Sequence, residues 1–309
     1  MTLLQAVILG IVQGLTEFIP VSSTAHLIFA SRLTELALNA EQTTATIAII
    51  QLGTLIAVFV YFARDIWAIS AAFLRDHWAI LLRRRRRDGV MARGTGARDT
   101  MARGEGSHAP ARLLSDEARL GWLIVIGSIP ISVIGLLFKK QIEGTFTKNL
   151  WVIATMLVVM ALLLLVAEKV GRRERTMTDL GLRDALAVGF AQVLSLIPGT
   201  SRSGATIMGG LFVGETRETA ARFSFLLSIP AITASGLLQL KEAVVKLPAG
   251  SALPLIIATV VAGVVGYASI WLLLRYLRTH STGIFIGYRL VVGGALLALL
   301  AAGWLQPLN

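Results

Sequence analysis

Gln13-Gly-Leu-Thr-Glu17-Phe-Ile-Pro20-Val-Ser22-Ser23-Thr24-Ala-His26 is an apolar helix sequence broken by a proline and a knot of polar groups. A second stretch reads as a version of it: Gln192-Val-Leu-Ser-Leu-Ile-Pro198-Gly199-Thr200-Ser201-Arg202-Ser203-Gly204-Ala-Thr206. In each, a helix of small and apolar residues runs into Ile-Pro. A hydroxyl pair follows, Ser22-Ser23 or Thr200-Ser201. Glu17, His26 and Arg202 then stand where the flanking sequence calls for lipid. An ionisable residue at membrane depth marks a functional site by default.

The flanking sequence does call for lipid. Of 309 residues, 55% are hydrophobic and only 15% charged, with a mean hydropathy of +0.73. A soluble domain carries about 25% charged residues. Six segments are long and apolar enough to span, at 43–63, 121–138, 150–168, 217–239, 254–275 and 284–304, since a span needs about 20 such residues. Segments 1–31 and 185–213 are broken in the middle, and broken helices at depth are tolerated only where buried in protein or lining a wet cavity. The reading is an all-α polytopic membrane protein of one domain, residues 1–309. It has six transmembrane helices plus two re-entrant helix-loop-helix hairpins, 1–31 and 185–213, in an inverted repeat whose site lies where the repeats meet.

There is no cysteine, so disulfides and thiolate metal sites are excluded. The four histidines, at 26, 77, 108 and 280, show no metal-ligand spacing. The net charge of +11 is a loop effect and not a nucleic-acid signal. With residue 1 outside, the inner loops 64–118, 169–183 and 275–283 hold 11, 5 and 2 basic residues. The outer loops 32–42, 139–149 and 240–253 hold 1, 3 and 2. Without the long loop the bias vanishes. The first basic residue is Arg32, so a cleavable signal with a basic head is not expected. Residues 83–118 open with five arginines, Arg83 to Arg87, and continue with few large apolar side chains. They read as a loosely ordered cytoplasmic insertion whose arginines can meet anionic headgroups.

Gln13 and Glu17 are four apart and share a helix face. Pro20 ends that helix, because the residue before a proline leaves the α region. Ser22 and Ser23 sit at a new helix start, where serine is a preferred cap. His26, three on from Ser23, can face the same way. A carboxylate, hydroxyls and an imidazole supply base, nucleophile and orienting group. The bland alternative is that the serines only cap and His26 lies at an interface. Glu17 resists that alternative, because a carboxylate at a helix centre costs about 2.5–3.5 kcal/mol on insertion scales. In the second stretch Gly199 permits close backbone approach. The free N–H groups of the following helix favour an anion. Arg202 adds a fork suited to phosphate oxygens. No Gly-Lys-Ser/Thr ending exists, so this is not a Walker loop. One hairpin thus brings acid/base chemistry and the other an anion cradle, which suits cleavage of a lipid phosphate.

Glu17-Phe-Ile-Pro-Val-Ser-Ser-Thr-Ala-His26 and Pro198-Gly-Thr-Ser-Arg-Ser-Gly-Ala-Thr206 resemble the two signatures of the bacterial undecaprenyl-diphosphate phosphatases, also called bacitracin-resistance proteins. Arg222-Phe-Ser-Phe-Leu-Leu-Ser-Ile-Pro230 is similar to a further family segment. The resemblance covers most of 1–75 and 120–305. It implies hydrolysis of undecaprenyl diphosphate to the monophosphate, recycling the lipid carrier for peptidoglycan synthesis. It also implies a site open to the outer face of the bacterial inner membrane. By position it makes Glu17, Ser23, His26 and Arg202 catalytic, Ser23 as nucleophile. The phosphate-binding set would be Ser22, Thr24, Gly199, Thr200, Ser201 and Ser203. It implies a divalent cation, Mg²⁺ or Ca²⁺, on Glu17 with Gln13 beside it, where some members have Glu. The implied partners are the polyprenyl diphosphate and membrane lipids, with a homodimer left open. A transporter of a polyprenyl phosphate is the alternative from another class.

Overall fold

The computed structural model describes residues 1–34, 36, 40–91, 114–138, 149–246 and 252–305. Among these residues it is all-helical. The helices are α1 (Leu3–Phe18), α2 (Ser23–Leu33), α3 (Ala40–Tyr61), α4 (Ala63–Met91), α5 (Asp116–Leu137), α6 (Leu150–Val170), α7 (Leu182–Val193), α8 (Arg202–Phe212), α9 (Arg217–Lys246), α10 (Ala252–Leu277) and α11 (Gly283–Ala301). Four of them, α5, α6, α10 and α11, are long and apolar enough to cross a membrane. The number rises to five if Ala45–Tyr61 and Ala63–Leu82 form one broken span. The chain is a multi-pass membrane protein.

Both proline breaks interrupt helices as expected. α1 starts with a reciprocal cap between Thr2 and Gln5 and ends at Phe18. Ile19, the residue before Pro20, is extended at φ −66°, ψ 134°. α2 then begins at Ser23 behind Ser22, whose φ is 79°. In the second copy α7 tightens into a 3₁₀ turn, Leu194–Leu196, before Pro198. α8 begins behind Ser201, whose φ is 69°. A left-handed serine at both helix starts is unusual for a residue with a Cβ. It makes the two breaks structural counterparts.

The chain divides into two compact units. The larger comprises residues 1–63 and 124–309. Its packing repeats across the counterpart hairpins. α1 and α3 both lie against α10, and the contacts are made by glycines. A Cβ on Gly14 would lie 2.7 Å from Val265 Cβ and 2.9 Å from the Ala262 carbonyl. One on Gly53 would lie 2.0 Å from the Thr259 carbonyl oxygen. On the other side α7 meets α5 through Gly189, where a Cβ would lie 2.3 Å from the Gly127 carbonyl. Small residues at helix seams let backbones approach closely, which is how helices associate in lipid. Phe18, Phe62 and Phe225 fill the space between α1, the end of α3 and α9, with Phe18 and Phe225 edge to face at 5.3 Å.

The smaller unit, residues 64–123, pairs α4 with the start of α5. Asp76 accepts from the backbone N–H and the hydroxyl of Ser115, both at 2.7 Å. Trp122 Nε1 donates to His77 at 3.0 Å. Phe73 stacks on His77 at 4.2 Å. This unit corrects the reading of 64–118 as a loop. Residues 63–91 form one helix, so the expected insertion 83–118 begins helical, and its last residues, from Asp116, open α5. Its middle, 92–113, lies outside the described residues.

Candidate active site

Glu17 sits on the last turn of α1, buried, and gathers four donors. Its Oε2 accepts from Gln13 Nε2 at 3.0 Å and from Ser23 Oγ at 2.8 Å. Its Oε1 accepts from Gln51 Nε2 at 3.1 Å and from Arg202 Nη2. Gln13 lies one turn back on the same helix, Ser23 across the first break, Gln51 on α3 and Arg202 at the start of α8. The two hairpins therefore meet at one carboxylate. The Arg202 guanidinium is mostly buried and forms a salt bridge with Glu17, so the cost of burying each charge is offset by the other.

The serines of the second break line the same place. Ser203 Oγ reaches the Glu17 and Ile19 carbonyls at 3.5 and 3.4 Å. It also lies 3.1 Å from Ser201 Oγ. Ser201 caps α8 by accepting from the Gly204 N–H at 3.2 Å. Gly199 has φ 88°, and a Cβ there would lie 2.4 Å from the Ile153 carbonyl. Only glycine satisfies both the angle and the space. Thr200 is fully buried with an unpartnered hydroxyl. Ser22 is buried behind the first break, whereas Thr24 is exposed.

His26 is one turn further along α2. Its Nδ1 lies 2.7 Å from the Ser22 carbonyl and its Nε2 lies 2.6 Å from the Tyr288 hydroxyl on α11. A carbonyl can only accept, so Nδ1 carries the proton and Nε2 accepts from Tyr288. The tyrosine ring also stacks on the imidazole at 5.6 Å.

Three residues of this site were not picked out from sequence: Gln51, Tyr288 and Arg289. Arg289 is the largest. It is buried on α11 and, among the described residues, donates to backbone carbonyls, to Pro20 at 3.2 Å, Gly199 at 3.0 Å, Met156 at 3.3 Å and Leu157 at 3.3 Å. One guanidinium thus holds both helix breaks against α6. The signal was present, since an arginine within the apolar run 284–304 obeys the same rule that singled out Arg202.

Among the described residues, no group of three His, Cys, Asp or Glu side chains forms a metal site. The oxygens suited to a divalent cation are the Glu17 carboxylate and Gln13 Oε1, which is buried and without a partner. That pair fits a hard cation only if substrate oxygens complete the shell, as is usual for Mg²⁺.

A family model described as bacitracin resistance protein BacA matches residues 6–295. The curated relatives include undecaprenyl-diphosphatases from Syntrophobacter fumaroxidans, 48% identical over 96% of this chain and 97% of the relative, and from Nocardia farcinica, 45% identical over 98% and 97%. A third, from Chlorobium phaeobacteroides, is 44% identical over 99% of this chain and all of the relative. The chain belongs to the bacitracin resistance protein family.

Proposed function

We propose that this family member hydrolyses undecaprenyl diphosphate to undecaprenyl phosphate and inorganic phosphate within the membrane. The observation that carries this reading is Glu17, which binds Ser23 from its own hairpin and Arg202 from the other. A base, a hydroxyl and a phosphate-binding cation thereby share one cluster. The relatives' printed activity, undecaprenyl-diphosphatase, agrees with it.

In this reading the terminal phosphoryl lies between the two breaks. Arg202 shifts from Glu17 to the phosphoryl oxygens, joined by Ser201, Ser203 and the free N–H groups that open α8. Glu17 Oε2 takes the proton of Ser23 Oγ as that oxygen attacks the terminal phosphorus, and the bridging P–O bond breaks. Undecaprenyl phosphate leaves, and water then releases phosphate from Ser23. Arg202 and the helix N–H groups stabilise the charge that develops on the transferring group. His26, held by Ser22 and Tyr288, serves proton transfer at the edge of the site. A divalent cation on Glu17 and Gln13 would neutralise part of the diphosphate charge.

The same reading sets six spanning helices, α3, α5, α6, α9, α10 and α11, around two re-entrant hairpins. It places the protein in the bacterial inner membrane with the site toward the outer face. Lipid-carrier recycling for peptidoglycan synthesis and resistance to bacitracin follow from the reaction. A pure transporter of the lipid has no use for the Ser23–Glu17 hydrogen bond.

The test is phosphate release from undecaprenyl diphosphate by purified protein in detergent, for the wild type and for Glu17→Ala and Arg202→Ala. Release that both substitutions abolish is expected. Absence of release from folded wild type would overturn the assignment and favour transport.

A further inference from the structure

Helix α4 presents two apolar faces, and only one of them is covered. Ile69, Phe73 and His77 pack toward the start of α5, against Gly121 and Trp122. About a third of a turn round the helix, Trp67, Leu74, Trp78 and Leu81 are 77%, 71%, 66% and 55% exposed. With Ala71, also exposed, they recur at intervals of three and four and form one continuous stripe along the helix. Arg64 and Arg75 are exposed beside it. One residue past Leu82 the same helix carries the run Arg83 to Arg87 and continues to Met91.

The helix does not read as a span. Arg75, Asp76 and His77 fall in the middle of its apolar part, where charge is strongly penalised in a bilayer. α4 begins directly after α3 and leads to α5, itself long and apolar enough to cross. A tryptophan- and leucine-rich stripe bordered by arginine is the composition of helices that lie in the headgroup layer. Five successive arginines directly after it match the charge of anionic headgroups.

We infer that α4 lies along the membrane surface, its Trp67–Leu81 stripe in the headgroup layer and its arginine run on anionic phospholipids. This assignment is independent of the catalytic reading. It makes α4 a tether that concentrates anionic lipid.

The absence of cysteine permits a direct test with the full chain in nanodiscs. A single spin label is placed by Leu74→Cys on the stripe, or by Ala79→Cys on an exposed position off it. The Leu74 label should favour oxygen over a water-soluble nickel chelate at least threefold more than the Ala79 label. Equal chelate access at both positions would overturn the inference. So would spin–spin broadening at Leu74, which would show a second copy of the chain covering the stripe. In mixed nanodiscs, fluorescent phosphatidylglycerol should be enriched around the wild type over phosphatidylcholine. The variant carrying Arg83→Gln, Arg84→Gln, Arg85→Gln, Arg86→Gln and Arg87→Gln should lose that enrichment at least threefold, with phosphate release unchanged as the folding control. Unchanged enrichment in the variant would remove the headgroup assignment. Retention of a homopolymer RNA by the wild type without lipid enrichment would reassign the run to nucleic acid.

Discussion

Arg202 reaches Glu17 across 185 residues of chain, and this ion pair ties the second helix break to the first. Removing one partner leaves the other buried and unpaired, which costs about 3–5 kcal/mol. Glu17→Ala and Arg202→Ala should therefore each lower thermal stability as well as abolish phosphate release. The double variant should be more stable than the sum of the singles predicts, because the pair is lost only once. A double-mutant cycle by thermal melts in detergent checks this. Arg202→Lys keeps the charge but loses the planar fork, and should restore stability better than turnover.

Ser23→Ala removes the hydroxyl that donates to Glu17 at 2.8 Å. Turnover should fall by about 10²–10⁴-fold, the range for a positioned acid–base partner, with little change in melting temperature. Rapid-quench trapping of labelled phosphate on the wild type, but not on the variant, is the expected companion result. Near-full turnover in Ser23→Ala would remove the covalent step.

Arg289 satisfies four carbonyls from three segments. Arg289→Ala should destabilise by about 3–5 kcal/mol, since several buried acceptors are orphaned at once. Gly199→Ala should fail in the same way, because its φ of 88° and the Ile153 carbonyl both exclude a Cβ. Both variants should show early melting and loss of activity together, read by size-exclusion thermostability and phosphate release.

Tyr288→Phe keeps the ring stacked on His26 and removes only the hydroxyl that donates to Nε2. A neutral hydrogen bond is worth about 1 kcal/mol, so kcat should fall about fivefold with KM little changed. A nitrogen NMR spectrum of labelled histidine should show the Nδ1–H form reduced in the variant.

Glu215 lies in the turn between α8 and α9, fully buried, with neither carboxylate oxygen partnered. Burial and the neighbouring Asp184 push its carboxyl up to about 8, while Arg175 opposes them. The folded state thus holds a proton that the unfolded chain releases near 4.5. Its contribution is complete below about pH 4.5 and is lost as pH rises through 8. Glu215→Gln, neutral at all pH, should flatten the fall of melting temperature between pH 6 and 9. An unchanged slope would reassign the pH dependence to other groups.

Much of the site was legible because polar residues at membrane depth are conspicuous. Pro20 and Pro198 located the breaks, and Glu17, Ser23 and Arg202 came together as their types suggested. The rest depended on helix neighbours that no local pattern reveals. Gln51 is one of several polar residues on α3, and nothing nearby in sequence says that its face meets Glu17. The spacing allows His26 to face the same way as Ser23, and the partners of its two nitrogens, the Ser22 carbonyl and Tyr288, are not legible from that spacing. α4 went unread because its arginines and aspartates mask the spacing of Trp67, Leu74, Trp78 and Leu81. That periodicity is clear once the charges are set aside.

The glycines between α1, α3 and α10 have a consequence for temperature. Gly14 lies one turn before Glu17 and Gly53 lies two residues after Gln51, and each lies close against α10, Gly14 on Val265 Cβ and the Ala262 carbonyl and Gly53 on the Thr259 carbonyl. The carboxylate and its amide donor are thereby spaced by three closely packed helices, with little room for any of them to shift. On warming, the geometry around Glu17 should hold until the helices themselves separate. Inactivation and unfolding should then share one midpoint, with no range in which a folded protein has lost its turnover.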